Sequence, residues 1–497
     1  MACAGRSQRL ALARMNAAGH PPLLLEINTR CWLRELSAAA GEPLDLARVP
    51  DVVVTEWTRL GFTHLWLMGV WQTGPRSRAA YLHHPDTRRR LSQILPDWTD
   101  VDVPGSPYAI AAYHVAEALG GDAGLKAFRA QLHRHGLRLV LDFVPNHTGL
   151  DHPWIEERPQ LFVQGRRESS GNFLRTSREG PRWIAHGKDP YFPPWIDTAQ
   201  LDYRRADTRA ALRDTLRSVA ARCDGVRCDM AMLVLNDIFA ATWKDHPPAR
   251  DETGEEFWAE AIRTVKAEHG AAFQFIAEVY WDLERRLQAL GFDFTYHKRV
   301  LDHLVAREPR ALGETLAKHP PAFLARAMHF LENHDEARIA SRLSLAEHRA
   351  AALLTLALPG MPLLHEGQLT GSMLHTPVQL ARRPVEPSSR EIEAMYATLL
   401  AARRASLVGH GTPELLARED GVITLRWSGE GREEVAVINL SSEPRRTQLA
   451  VPPRAAGWKW FDQLAGGAGA QTVHSPHSLT LDLVPHAAHW YQFLPGD

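Results

Sequence analysis

The stretch LRLVLDFVPNH (137–147) decides the fold. It opens on a branched-aliphatic run, carries Asp142 near its end, and stops at the polar pair Asn146 and His147. Its length and composition are those of a buried strand whose polar end reaches a site. An amphipathic helix is expected immediately before it, over 122–135. Asp122 is its expected N-cap, Leu125, Phe128 and Leu132 form its apolar face, and Gly136 is its stop. A helix feeding directly into a buried strand is one unit of an α/β repeat. The unit recurs downstream. Asp207–Ala221 precedes GVRCDM (225–230), and Glu256–Glu268 precedes FIAEV (275–279). FDFTYH (292–297), AMHFLENHD (327–335) and PLLHEG (362–367) follow as strands six to eight, and LLLEINT (23–29) and HLWLMGVW (64–71) come first. Eight strand–helix units of this kind imply a parallel (β/α)8 TIM barrel.

Two segments break the alternation. Residues 148–203 are rich in Pro, Gly, Trp and Arg without clear periodicity, and a loop that long implies a small lobe inserted over the barrel mouth. Beyond about residue 408 the pattern becomes short alternating strands (VITLRW, EVAVINL, LTLDLV), predicting a C-terminal antiparallel β-sandwich. The expected organisation is therefore an N-terminal extension (1–22), a barrel (23–147 and 204–407), an inserted lobe (148–203) and a sandwich (408–497).

The chain has 497 residues, 45% hydrophobic and 23% charged, and a formal net charge of −1. This is a globular composition with no electrostatic case for nucleic acid or an anionic membrane. No apolar run reaches the roughly 18 residues of a spanning helix. The four scattered cysteines suit a reducing compartment, and with no secretory leader expected the reading is cytoplasmic.

Carboxylates at strand ends are costly unless they share a polar site, and a parallel barrel gathers all its carboxyl ends on one face. Arg227 and Asp229 lie two apart on a strand and project together, so the guanidinium is expected to keep Asp229 ionised. Glu278 follows an apolar approach that raises its pKa and lets it hold a proton for a leaving group. A nucleophilic and an acidic carboxyl about 5–5.5 Å apart are what glycoside cleavage with retention needs.

Taken together, these segments resemble the four signature regions of the α-amylase family of glycoside hydrolases (family 13), in order and over roughly residues 23–495. The resemblance implies Asp229 as nucleophile, Glu278 as acid/base and Asp335 as the third acid, which grips sugar hydroxyls. It implies that Arg227 positions the nucleophile, that His147 and His334 hydrogen-bond the sugar, and that Tyr108 of SPYAIAAYHV stacks on it. Asp142 and Asn146 match structural positions.

There are departures. Met232 and Leu233 stand where many relatives have a Lys–His pair for the leaving-side sugar. Ala112 replaces an Asp, Leu369 replaces an acid, and the lobe is short for calcium binding. A calcium ion at Asn146 is therefore not expected to be required, and no metal or other cofactor is assigned.

The expected function is retaining hydrolysis of α-1,4-glucans or maltooligosaccharides. A transglycosylase of the same family (4-α-glucanotransferase, maltosyltransferase or trehalose-forming isomerase) is the alternative, and a non-catalytic sugar-binding relative the remote one. The expected partner is an oligosaccharide, with no nucleic acid and no membrane.

Overall fold

The computed structural model describes residues 21–165, 168–246, 251–417, 421–450, 458–465, 471–472 and 478–495. The extension expected over 1–22 lies outside them, apart from Pro21 and Pro22.

Eight short strands close a parallel barrel: β1 (Leu24–Asn28), β2 (His64–Met68), β3 (Arg138–Phe143), β4 (Gly225–Cys228), β5 (Gln274–Ala277), β6 (Phe294–Tyr296), β7 (Ala327–Phe330) and β8 (Met361–His365). They neighbour one another in chain order, and β8 pairs back onto β1 with Glu26 opposite His365. All eight are buried throughout except for half-buried Arg138 at the start of β3, as a sheet covered by helices on its outside requires.

The helix before β3 runs Gly121–Arg134, and Leu125, Phe128 and Leu132 are buried as its period predicts. Gly136 follows at φ 74°, a conformation that costs glycine little. Asp122 is not its cap. Gly120 holds that position, and Asp122 Oδ1 instead accepts the Val115 N–H at 3.0 Å, tying the helix to strand Ile110–Val115.

Two excursions rise above the barrel. The segment after β3 is not structureless: His147–Gly149 pairs antiparallel with Thr198–Gln200, and Asn172–Ser177 forms a hairpin with Gly180–Ala185. An earlier excursion follows β2. It contains helices Pro75–His83 and Pro85–Ile94 and a short sheet of Trp71–Thr73 with Ile110–Val115.

The C-terminal region is a six-stranded antiparallel sheet facing the two-stranded sheet Arg445–Ala450/Ser478–Leu483. Val435, Val437, Leu449, Leu481 and Phe493 fill the layer between them. The other face of the larger sheet, with Trp427 and Trp490, joins the barrel's own core.

Candidate active site

The polar residues collect at the carboxyl ends of the barrel strands. Asp229 follows β4 directly, Glu278 follows β5 directly, and His334 and Asp335 lie just beyond β7. His147 begins the lobe's first strand, and Tyr108 comes from the loop ahead of Ile110–Val115. Tyr108, His147, Asp229, Glu278 and Asp335 line one cavity of about 450 Å³. Arg227 and His334 are not on its wall. They lie beneath it, 1% and 3% exposed, and act on the carboxylates above.

Arg227 is the hub. Its Nη1 donates to Asp229 Oδ1 at 2.7 Å, and its Nη2 lies 2.8 Å from Glu278 Oε2. The first is an aligned charge-assisted hydrogen bond. The second is a charge contact without hydrogen-bond alignment, since Nη2 has no hydrogen-bond partner. The guanidinium also packs against the faces of Trp66, Tyr108 and Tyr296 at 5.1–5.7 Å. Rings at that distance favour a desolvated cation.

Burial pushes Glu278 up to about 7, with Arg227 opposing and Asp229 and Asp335 adding to the rise. Glu278 also accepts the Met230 N–H at 2.7 Å and the Tyr280 hydroxyl at 2.9 Å. Asp229 departs from expectation. Burial raises its pKa even though Arg227 is bonded to it, because desolvation penalises any charge in the pocket. The aligned bond from Arg227 opposes that rise at Asp229. Beneath them Asp142, likewise lifted by burial to about 7, accepts from Trp66 Nε1 and the Gly69 N–H at 3.1 Å each.

Across the cavity the electrostatics reverse. Partial desolvation would raise Asp335 even though its side chain is only half buried, but His334, 3.1 Å away, holds its carboxyl well below the usual range. The Asp335 side chain is half exposed and open to a ligand. His334 stacks on Tyr108 at 24° between planes, with Nε2 2.8 Å from the phenol oxygen. His147 is held near 4 by burial and so stays neutral. Its ring leans on Trp195, and at Gly187 an added Cβ would lie 3.1 Å from His147 Cβ and 3.2 Å from the Trp195 ring. A side chain there would also come within 2.6 Å of Thr198 Oγ1 and would have to displace its neighbours.

Several residues were not anticipated. Tyr81, His84 and Thr87 reach the cavity wall from the excursion after β2, and nothing in their local sequence marks them. Tyr296 lies within the sixth expected strand and Tyr280 one residue past FIAEV, and neither position signals a role. Glu26, fully buried and bonded to His334 Nδ1, carried the same signal as the other acids, a carboxylate inside the apolar run LLLEIN.

The residues around the site are placed as follows. Met232 and Leu233 are buried core residues in the short helix Ala231–Val234, whose first carbonyl accepts from Trp258 Nε1, so they present no side chain to a leaving group. Lys188 lies over the Trp243 ring, and His186 is buried against the Thr198 carbonyl. Of the lobe aromatics, Trp195 lines the cavity, while Tyr191 and Phe192 are 69% and 70% exposed. Asn146 is engaged, its Oδ1 accepting from Gln200 Nε2 at 3.0 Å. Among the described residues no group of three or more His, Cys, Asp or Glu side chains is placed to hold a metal ion.

The similarities of the chain accord with this geometry. Residues 58–389 match the family described as alpha amylase, catalytic domain. Alpha-amylase MalA of Haloarcula japonica is 25% identical over 394 residues, which is 75% of this chain and 52% of that protein. Trehalose-6-phosphate hydrolase of Escherichia coli is 27% identical over 300 residues, 48% of this chain and 51% of the other. The chain thus spans about half the length of the curated relatives it matches. In fold it resembles a maltogenic alpha-amylase from Thermotoga neapolitana, with a TM-score of 0.68 at 18% identity, covering 95% of this chain and 98% of that one. An alpha-amylase from Lactobacillus plantarum gives 0.66 at 22% identity, covering 95% and 99%. The matched segment is well over half of the chain and carries every strand-end acid from Asp142 to Asp335, and on that ground the chain belongs to the α-amylase family.

Proposed function

We propose that the protein is a retaining glycoside hydrolase acting on short α-linked glucans. Asp229 attacks the anomeric carbon and expels the leaving oxygen, which takes the proton of Glu278. Glu278 then removes a proton from water as that water displaces Asp229 from the glycosyl–enzyme intermediate. Asp335 and His147 hold hydroxyls of the sugar under attack.

The observation that carries this reading is the unequal treatment of two carboxyls by one guanidinium. Burial raises both, but Asp229 has the aligned bond from Arg227, whereas Glu278 lacks one and is lifted to about 7, which keeps it substantially protonated near neutrality. A nucleophile needs the first environment and a general acid the second. A single group touching both also favours the short carboxyl separation of retaining enzymes over the ~6.5–9.5 Å of inverting ones. A cavity of about 450 Å³ lies in the range of small-molecule sites, which supports a short substrate.

The test is incubation with maltooligosaccharides, followed by NMR from the first seconds. The α-anomer of the product should appear first; an initial β-anomer would exclude the mechanism. Parallel incubations with phosphate or trehalose separate hydrolysis from transfer, which uses the same first step.

A further inference from the structure

Glu26 lies on β1, outside the segment that matches the family. It is fully buried, its Oε1 bonds His334 Nδ1, and its Oε2 is buried with no hydrogen-bond partner among the described residues. A carboxylate withdrawn from water in this way is costly unless a cation neutralises it, and His334 is the group in contact. On the far edge of that ring, Nε2 stands 3.1 Å from Asp335 Oδ2 and 2.8 Å from the Tyr108 hydroxyl. A neutral imidazole has one N–H and cannot donate towards carboxylates on both edges, whereas the imidazolium does both.

We propose that Glu26 is a positioning residue that keeps His334 doubly protonated, with Nε2–H aimed at Asp335, and so orients and ionises the acid that holds the sugar. The proposal rests on the glycosidase reading of the site.

The surroundings of His334 agree. Glu26 from β1, Asp142 from β3, Asp229 after β4 and the adjacent Asp335 act on it or it on them. Against these carboxylates stands Arg227, and Tyr108 contributes a neutral hydroxyl. His365, opposite Glu26 on β8, is held neutral by burial and by Arg338; His375 bonds the His334 carbonyl, faces Asp335 as well, and is lowered by burial. Burial opposes protonation of His334, but Asp335 and Glu26 outweigh it and raise its pKa well above the ordinary value. The Trp66 edge and the stacked Tyr108 ring fix the plane of the imidazole, so the proton on Nε2 has a set direction.

Two measurements test this. A joint X-ray and neutron structure of the unmodified protein at neutral to mildly alkaline pD should show deuterium on both Nδ1 and Nε2 of His334. A single deuteron overturns the proposal, and that result does not depend on any activity.

The second is Glu26→Gln, which keeps the shape and a hydrogen-bond acceptor but removes the charge. The ratio of its kcat/KM to that of the wild type should fall with rising pH, approaching tenfold for each unit above the lowered His334 pKa, with the loss in KM as well as in kcat. Taking the ratio removes the titration of Glu278, common to both proteins. In a His334→Gln background the same substitution should change kcat/KM less than about twofold, because coupled residues are not additive. A pH-independent loss of equal size in both backgrounds would reduce Glu26 to a structural acid and overturn the proposal. Absence of any α-glucosidic activity in the wild type would sink the glycosidase reading instead, and the deuterium positions would still decide the protonation claim.

Discussion

Replacing Tyr280 with Phe should move the alkaline limb of the pH–activity profile upward. The Tyr280 hydroxyl donates to Glu278 Oε1 at 2.9 Å, and that carboxyl is 3% exposed. A hydrogen bond to a charged group contributes about 1.5–3 kcal/mol, and it favours the ionised over the protonated form. At ~1.4 kcal/mol per pKa unit, its loss raises the Glu278 pKa by about one to two units. Partial compensation from the Met230 N–H and from Arg227, both on the other oxygen, places the expectation at the lower end. The sign follows from the role. In the proposed mechanism Glu278 is the proton donor, so activity is lost as pH rises through its pKa, which burial places at about 7. A higher pKa keeps the proton on Glu278 to higher pH. The assay is kcat/KM against pH on maltotriose for both proteins, with the melting temperature as a folding control. A limb that stayed in place or moved downward would show that Glu278 does not set it, and the assignment of the acid would fail.

Asp229→Ala and Glu278→Gln should each lower turnover by several orders of magnitude with little change in thermal unfolding, since each removes a chemical step. A tenth of wild-type rate surviving in Asp229→Ala would end the covalent mechanism. EDTA should leave both activity and melting temperature unchanged, because Asn146 is already bonded to Gln200; a fall of many degrees, restored by calcium, would refute this. Stability should decline on acidification. His329, held near 4 by burial, and His297, held well below its ordinary value by burial and neighbouring histidines, are neutral in the fold. The unfolded chain takes up protons first, so stability present above pH ~6.5 is lost as the pH falls towards ~4. Thermal melts across that window should show the decline, and it should be smaller in His329→Gln. Measured from maltose to maltoheptaose, kcat/KM should level off after a few sugars; a steep rise through seven units with starch best would indicate a long cleft.

Much of the site was legible because each acid interrupts an apolar run. Asp142, Asp229, Glu278 and Asp335 stand at or near the ends of strands whose interiors have no other reason to tolerate charge. The lobe strands and the helices at 75–94 were not legible, since loops over a barrel mouth follow no helical or strand period. Asp122 shows the limit of local rules. It has the chemistry of a cap, yet the strand 110–115 presented a closer N–H.

Strand order and the gathering of acids at one face follow from the sequence alone, because hydrophobic period and short βα connections leave a parallel barrel as the architecture that satisfies them; the strands themselves end earlier than their apolar runs, the second at Met68 rather than Trp71 and the seventh at Phe330 rather than Asp335. Protonation was decided only by the tertiary structure. The pKa of Asp229 or of His334 depends on how far water is excluded and on which charges stand opposite. Those charges come from distant parts of the chain: Glu26 meets His334 across 308 residues, and Arg227 meets Glu278 on the next strand. Coulombic and desolvation energies depend on distances in space, which the linear order of residues does not contain.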